Sequence, residues 1–201
     1  VERLAIGDRV VTADGTTRPV KWIGHRSLDL SRHREPELVR PVLIRAGAMG
    51  DNAPHRDLYV SPDHALLLDG VLVPARLLVN GASIQTVGTC MTVTYYHVEL
   101  DAHDILLAEN LPAESYLDTC NRGMFENGDA ALILHPDLAN DQARRVAQSC
   151  RPFADAPAVV EPVWHRLAQR SVDLGLALPA AIQTTDDPAL HVVIGEQTIR
   201  P

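Results

Sequence analysis

The sequence predicts a mainly β protein of short strands and hairpins, with a small α/β unit at its C-terminal end. Three observations carry this. Over the first two thirds, short runs rich in Val, Ile, Leu and Tyr alternate with turn signals at close spacing. Two of those signals are Asp-Gly dipeptides, Asp14-Gly15 and Asp69-Gly70, which suit two-residue hairpin turns because both residues tolerate positive φ. After about residue 125 the apolar residues take up helical spacing instead.

Taken in order, RVVTADGTTRPVKWIG (9–24) gives two strands around Asp14-Gly15. HRSLDLSRHREPEL (25–38) has no clean period and reads as a loop. VRPVLIRAGA (39–48) is a strand in which Pro41 points to an edge position or a bend. LYVSPDHALLLDGVLVPA (58–75) supplies two strands around Asp69-Gly70, and SIQTV, MTVTYYHVEL and HDILLAENLPAESYLD follow. ANDQARRVAQSCRP (139–152) reads as a short helix stopping near Pro152, and PFADAPAVVEP (152–162) as a Pro- and Ala-rich linker. In 159–175, Val160, Val163, Trp164, Leu167 and Val172 lie near helical spacing, with a stop at Gly175. DPALHVVIGEQTIRP (187–201) closes the chain as a hairpin around Gly195-Glu196.

A chain of 201 residues suits one domain of moderate size, or a domain with an appendage, and can bury a real core. The 46% apolar fraction argues against wholesale disorder, and the 4% aromatic content leaves the core to Val, Leu, Ile and Ala. A net charge of −8 with no Lys/Arg block argues against nucleic-acid binding and for solubility. Cys90, Cys120 and Cys150 are odd in number and widely spaced, with no C-x-x-C pair. They read as small, half-buried hydrophobes, not as disulfides or zinc ligands. No apolar run reaches the roughly 18 residues of a membrane span, and no signal peptide is visible. The opening VERLAIGDRVV has the look of a protein interior, so location stays open.

Two stretches carry candidate chemistry. Ser61-Pro62-Asp63-His64 interrupts an apolar run. In a strand, Ser61 and His64 would face opposite ways; a turn at Pro62-Asp63 would let them converge. From spacing alone a capped turn is the plainer reading, and no G-x-S-x-G surrounds Ser61. In YYHVELDAHDILLAENL (95–111), His97 and Glu99 share one strand face, Val98 and Leu100 the other, and His103 follows in a turn. His64, His97 and His103 are conceivable zinc ligands, but no H-x-H or H-E-x-x-H spacing supports a metal. An exposed polar strand face is the plainer reading, and no cofactor is called for. ESYLDTCNR (114–122) reads as a closing loop.

GDRVVTADG, KWIGHR, PVLIRAGAMG, DLYVSPDHALLLDGVLVPARLLVNG and YYHVELDAHDILLAENLPAESYLDTCNR come in an order and spacing that resemble bacterial Hint domains of the Hedgehog/intein superfamily. The resemblance covers about residues 1–125, with 126–201 as a helical and hairpin extension. It implies a horseshoe-like β fold with two pseudo-twofold-related subdomains. It also implies a setting in longer secreted or surface bacterial proteins.

The implied reaction is self-processing. An opening cysteine attacks the preceding carbonyl, the peptide bond becomes a thioester, and water or a thiol resolves it. The substrate is the protein's own upstream polypeptide. Ser61-Pro62-Asp63-His64 matches the superfamily's Thr/Ser-x-x-His motif, with His64 as proton donor to the scissile amide and Ser61 fixing the ring or the backbone. His103 matches the histidine of the later motif. His97 falls near the place where inteins often carry an Asp that tunes the cysteine. The family's pattern puts the cysteine before VERLAIGDRVV, so the chain as given is expected to be silent. Where inteins end in His-Asn, this chain reads Pro112-Ala113-Glu114-Ser115-Tyr116, so N-terminal cleavage without splicing is expected. The rival expectations are a non-catalytic β binding module with the same core and, third, a metal-dependent hydrolase.

Overall fold

Asp14 and Gly15 reverse the chain where expected, but within a longer connection over 12–16 in which Gly15 and not Asp14 takes positive φ, rather than as a two-residue turn. Strand β1 (Arg9–Val11) pairs antiparallel with β2 (Thr17–Pro19), and Gly15 holds φ +80 between them. The Asp14 carboxylate ties the turn by accepting from the Thr12 hydroxyl at 2.6 Å and the Thr16 N–H at 2.9 Å. The computed structural model describes residues 1–128 and 145–180, and the backbone of two short strands at 192–194 and 197–199.

The longest ladder joins β3 (Trp22–Asp29) to β9 (Thr92–Glu99), from Trp22 opposite Glu99 to Asp29 opposite Thr92. This corrects the loop expected from residue 25. Residues 25–29 are strand, because a partner far along the chain supplies the pairing that their local pattern does not announce. Pro41 is also corrected. Strand β4 (Val42–Ile44) is central, between β5 (Leu58–Val60) and β8 (Ile84–Thr86). Pro41 stands one residue outside it, where no ladder N–H is needed, and its carbonyl accepts the Val87 N–H at 2.9 Å.

A second sheet has the order β10-β11-β6-β7, formed by β6 (Ala65–Leu68), β7 (Val71–Pro74), β10 (Ile105–Ala108) and β11 (Leu111–Glu114). Both of its hairpins turn through two residues at positive φ: Asp69 and Gly70 at +50 and +85, Glu109 and Asn110 at +51 and +68. The core is aliphatic, as expected, with Ile44, Leu66, Leu72, Leu78, Ile84 and Leu111 fully buried.

Helix α1 (Pro157–Asp173) docks on this β core. Val160, Val163 and Leu167 join the cluster of Val42, Ile44 and Leu66, and the Trp164 indole N–H donates to the Val79 carbonyl at 2.9 Å. Ser171 Oγ lies 2.6 Å from Ser83 Oγ and accepts from the Asn80 amide at 3.1 Å. Val172, on the predicted apolar face, is exposed. Gly175 follows the helix at φ +76.

The linker expected over 152–162 is corrected too. Pro157 opens the helix, and 152–154 run parallel to β7: Leu72 N–H donates to the Pro152 carbonyl at 2.8 Å and Ala154 N–H to the Leu72 carbonyl at 2.9 Å. β7 is an edge strand, and this strap covers its free edge. Residues 145–148 are helical; the rest of the helix expected from 139, over 139–144, lies outside the described residues. The terminal hairpin pairs β12 (Val192–Ile194) with β13 (Gln197–Ile199), and its turn at 195–196 lies outside them. Cys90 and Cys150 are half-buried, but Cys120 is exposed, and all three are free thiols. Among the described residues no helix is long and apolar enough to cross a membrane.

Candidate functional site

Pro62 and Asp63 do turn the chain. His64 N–H donates to the Ser61 carbonyl at 3.1 Å, closing a tight turn between β5 and β6. Arg76 clamps it from outside, donating its N–H to the Pro62 carbonyl at 2.9 Å and its guanidinium to Asp63 at 2.8 Å. Ser61 and His64 therefore line one cavity of about 390 Å³. Its other walls include Tyr95 and His97 from β9, Glu114 at the end of β11, and the Tyr116 and Phe125 rings.

His97 sits among rings. Its centroid is 6.0 Å from His64, 5.1 Å from Phe125 and 5.9 Å from Tyr116. Burial pushes its pKa down to about 4, repulsion from His64 adds to that, and Glu114 offsets it in part. His64 is lowered by burial as well; Glu114 pulls it upward and His103 pushes it down. Both imidazoles are accordingly neutral at pH 7.

Glu114 is the residue that sequence reasoning missed. It is buried, and its Oε1 accepts the Ala65 N–H at 2.7 Å. Its Oε2 lies 3.5 Å from His103 Nε2. Burial raises its pKa, but His103, His64 and the Ala65 N–H together bring it below the ordinary value, so it is a carboxylate. The polar run 114–122 predicts a closing loop that begins at Glu114, whereas Glu114 is the last residue of β11. An acidic residue ending an apolar strand was the available signal; its partners lie too far away in sequence to be read.

The structure brings Ser61, His64 and His97 to one cavity. His103 does not line it: the ring is buried and meets the site through Glu114, while its Nδ1 accepts the Cys150 N–H at 3.0 Å. The exposed polar face expected for His97 and Glu99 is corrected. Glu99 is 8% exposed, with its carboxylate between Lys21 and Arg122. The Arg122 guanidinium also lies 4.4 Å over the Trp22 ring. Among the described residues no group of three His, Cys, Asp or Glu converges as a metal site would require.

The Hint domain model matches residues 1–120, and the chain belongs to the Hint domain family, a family of self-processing domains. Among solved structures, the chain is similar to the crystal structure of the MchDnaB-1 intein at 16% identity, covering 57% of this chain and 87% of that one, with a TM-score of 0.35. No curated protein matches.

Proposed function

We propose that this domain cleaves its own upstream polypeptide by an N-to-S acyl shift, with residues 1–125 as the processing domain and 126–201 as an extension whose helix α1 and 149–154 strap pack on it. The supporting observation is the hydrogen-bonded Ser61–His64 turn, which presents a neutral imidazole to the same cavity as His97 and Glu114. Cys90, Cys120 and Cys150 do not line that cavity. In this reading the attacking thiol is supplied by a cysteine of the polypeptide that is cleaved, as the resemblance to the superfamily implies.

The thiol proton passes to His64 as sulfur attacks the carbonyl carbon. The C–N bond then breaks, and His64 returns that proton to the leaving nitrogen, so an amide becomes a thioester and an amine. A lowered pKa makes the transient imidazolium a strong acid, which suits a poor amide leaving group. Ser61 holds the scissile backbone, and His97 keeps the neighbourhood free of a second cation. Water or a thiol adds to the thioester and releases the cysteine. Pro112–Tyr116 offers no His-Asn pair, so cleavage proceeds without splicing.

The alternative is a binding module that keeps the fold, which the cavity of about 390 Å³ would equally serve. Expression of the parent chain from well upstream of its cysteine, followed by intact mass with and without dithiothreitol, separates the two. Self-processing gives two fragments, faster with thiol, and His64→Ala abolishes the cut. A chain that stays whole under every condition is the binding module.

A further inference from the structure

The family match ends at residue 120, yet a segment beyond it reaches the site. Residues 149–154 form a strap over the β sheet. It is pinned by the Leu72–Pro152 and Ala154–Leu72 backbone bonds and by Cys150 and Phe153 packed on Ala65, Leu72 and Ile105. The strap delivers the Cys150 N–H to His103 Nδ1 at 3.0 Å, with Ser149 Oγ 3.4 Å from the same nitrogen.

The backbone N–H is an obligatory donor, so Nδ1 must accept. In the neutral ring the proton then resides on Nε2. Nε2 is buried, without a well-aligned acceptor, and its nearest partner is Glu114 Oε2 at 3.5 Å. Glu114 is anchored from its other oxygen by the N–H of Ala65, the residue after His64.

We propose that the 149–150 strap is a positioning element of the self-processing site: the Cys150 N–H fixes His103 as the Nε2–H tautomer, and that N–H holds the Glu114 carboxylate beside His64. This rests on the self-processing reading for its purpose, but the tautomer exists whether or not the chain cleaves. The thiol of Cys150 has no part in it. With His103 in the other tautomer, two donors would confront each other at Nδ1 and a lone pair would face a carboxylate at Nε2. Glu114 would keep only its bond from the Ala65 N–H, and its field on His64 and His97 would shift.

The test is imidazole ¹⁵N NMR on the full chain, residues 1–201, at neutral pH. The expected result is a His103 ring protonated only at Nε2, with a through-hydrogen-bond ¹⁵N–¹⁵N coupling between Nδ1 and the Cys150 amide. Cys150→Ala keeps both signatures, because it keeps the N–H. Cys150→Pro removes the donor and loses the single tautomer; in the parent chain it also slows cleavage, while Cys150→Ala does not. A wild-type ring protonated at Nδ1, or one without the coupling, overturns the proposal even where Cys150→Pro fails to fold. So does a single Nε2–H tautomer that persists in Cys150→Pro. The predicted tautomer in a chain whose parent never cleaves overturns the self-processing reading and leaves the strap standing.

Discussion

The His64 and His97 rings lie 6.0 Å apart at centroid, tilted by 46°, and the field of one buried carboxylate, Glu114, acts on both. Two imidazoles so close and so poorly solvated do not both take a proton. The pair is kept neutral, and that condition leaves a mark on stability.

Acid should destabilise the fold ahead of ordinary carboxylate titration. His97 has a folded pKa of about 4 against an ordinary 6.5, so below pH 6.5 the unfolded chain takes up a proton the native state refuses. Stability falls as pH drops through that window, by on the order of 3 kcal/mol for His97 at full extent. His64 acts with the same sign. Glu114, lowered in the fold, adds stability above its unfolded pKa that is lost as pH falls through the folded value. Urea unfolding across pH 7 to 4 measures the slope. His97→Phe, which keeps a ring among Tyr116 and Phe125, should flatten it; an unchanged slope would mean that His97 is not held neutral.

Helix α1 should unfold with the β core. Leu167 is 3% exposed within the main cluster, and Leu167→Ala should cost about 2–5 kcal/mol. Denaturation followed by far-UV circular dichroism and by Trp164 fluorescence should give one shared transition, shifted in both signals. Separate midpoints would make the extension an independent unit.

What the sequence showed of this fold was local. Asp14-Gly15 and Asp69-Gly70 announce their hairpins because the turn chemistry sits in the dipeptide itself. Glu109-Asn110 takes the positive-φ geometry of Asp69-Gly70 without glycine, so HDILLAENLPAESYLD (103–118) reads as one run and its division into two strands is not legible. Residues 25–29 become strand through Thr92–Tyr96, a partner no local window contains. The site divides the same way. Ser61 and His64 were legible as a pair because Pro62-Asp63 between them favours a turn. Glu114 was not, because its hydrogen-bond donor belongs to Ala65 and its ring partner is fixed by Cys150.

Arg122 should matter through the charge it covers. Glu99 is buried, and apart from Arg122 its carboxylate meets Lys21 at 3.3 Å, on a half-exposed side chain. Arg122→Met should therefore cost about 3 kcal/mol, because it strands an ionised group in the interior. Glu99→Met combined with Arg122→Met should cost less than Arg122→Met by itself. A double-mutant cycle by urea denaturation reads this directly, and additive losses would show the two side chains to be uncoupled.

Gly24 ties the long ladder to the cavity wall. It lies within β3, and a Cβ there would collide with the Trp22 ring and come within 2.8 Å of the Phe125 ring. Those rings are already packed on each other, with centroids 5.2 Å apart and planes at 87°, and Phe125 is also 5.1 Å from His97. Neither ring can yield without moving the other, so Gly24→Ala should destabilise by about 1–3 kcal/mol, as overpacking of a filled core does. The displaced Phe125 would also shift the environment of His97. Denaturation together with Trp22 fluorescence and the His97 ring resonances checks both effects. A loss of stability with unmoved His97 resonances would show that the rings relax away from the cavity, and unchanged stability would show that the cluster has room the packing does not reveal.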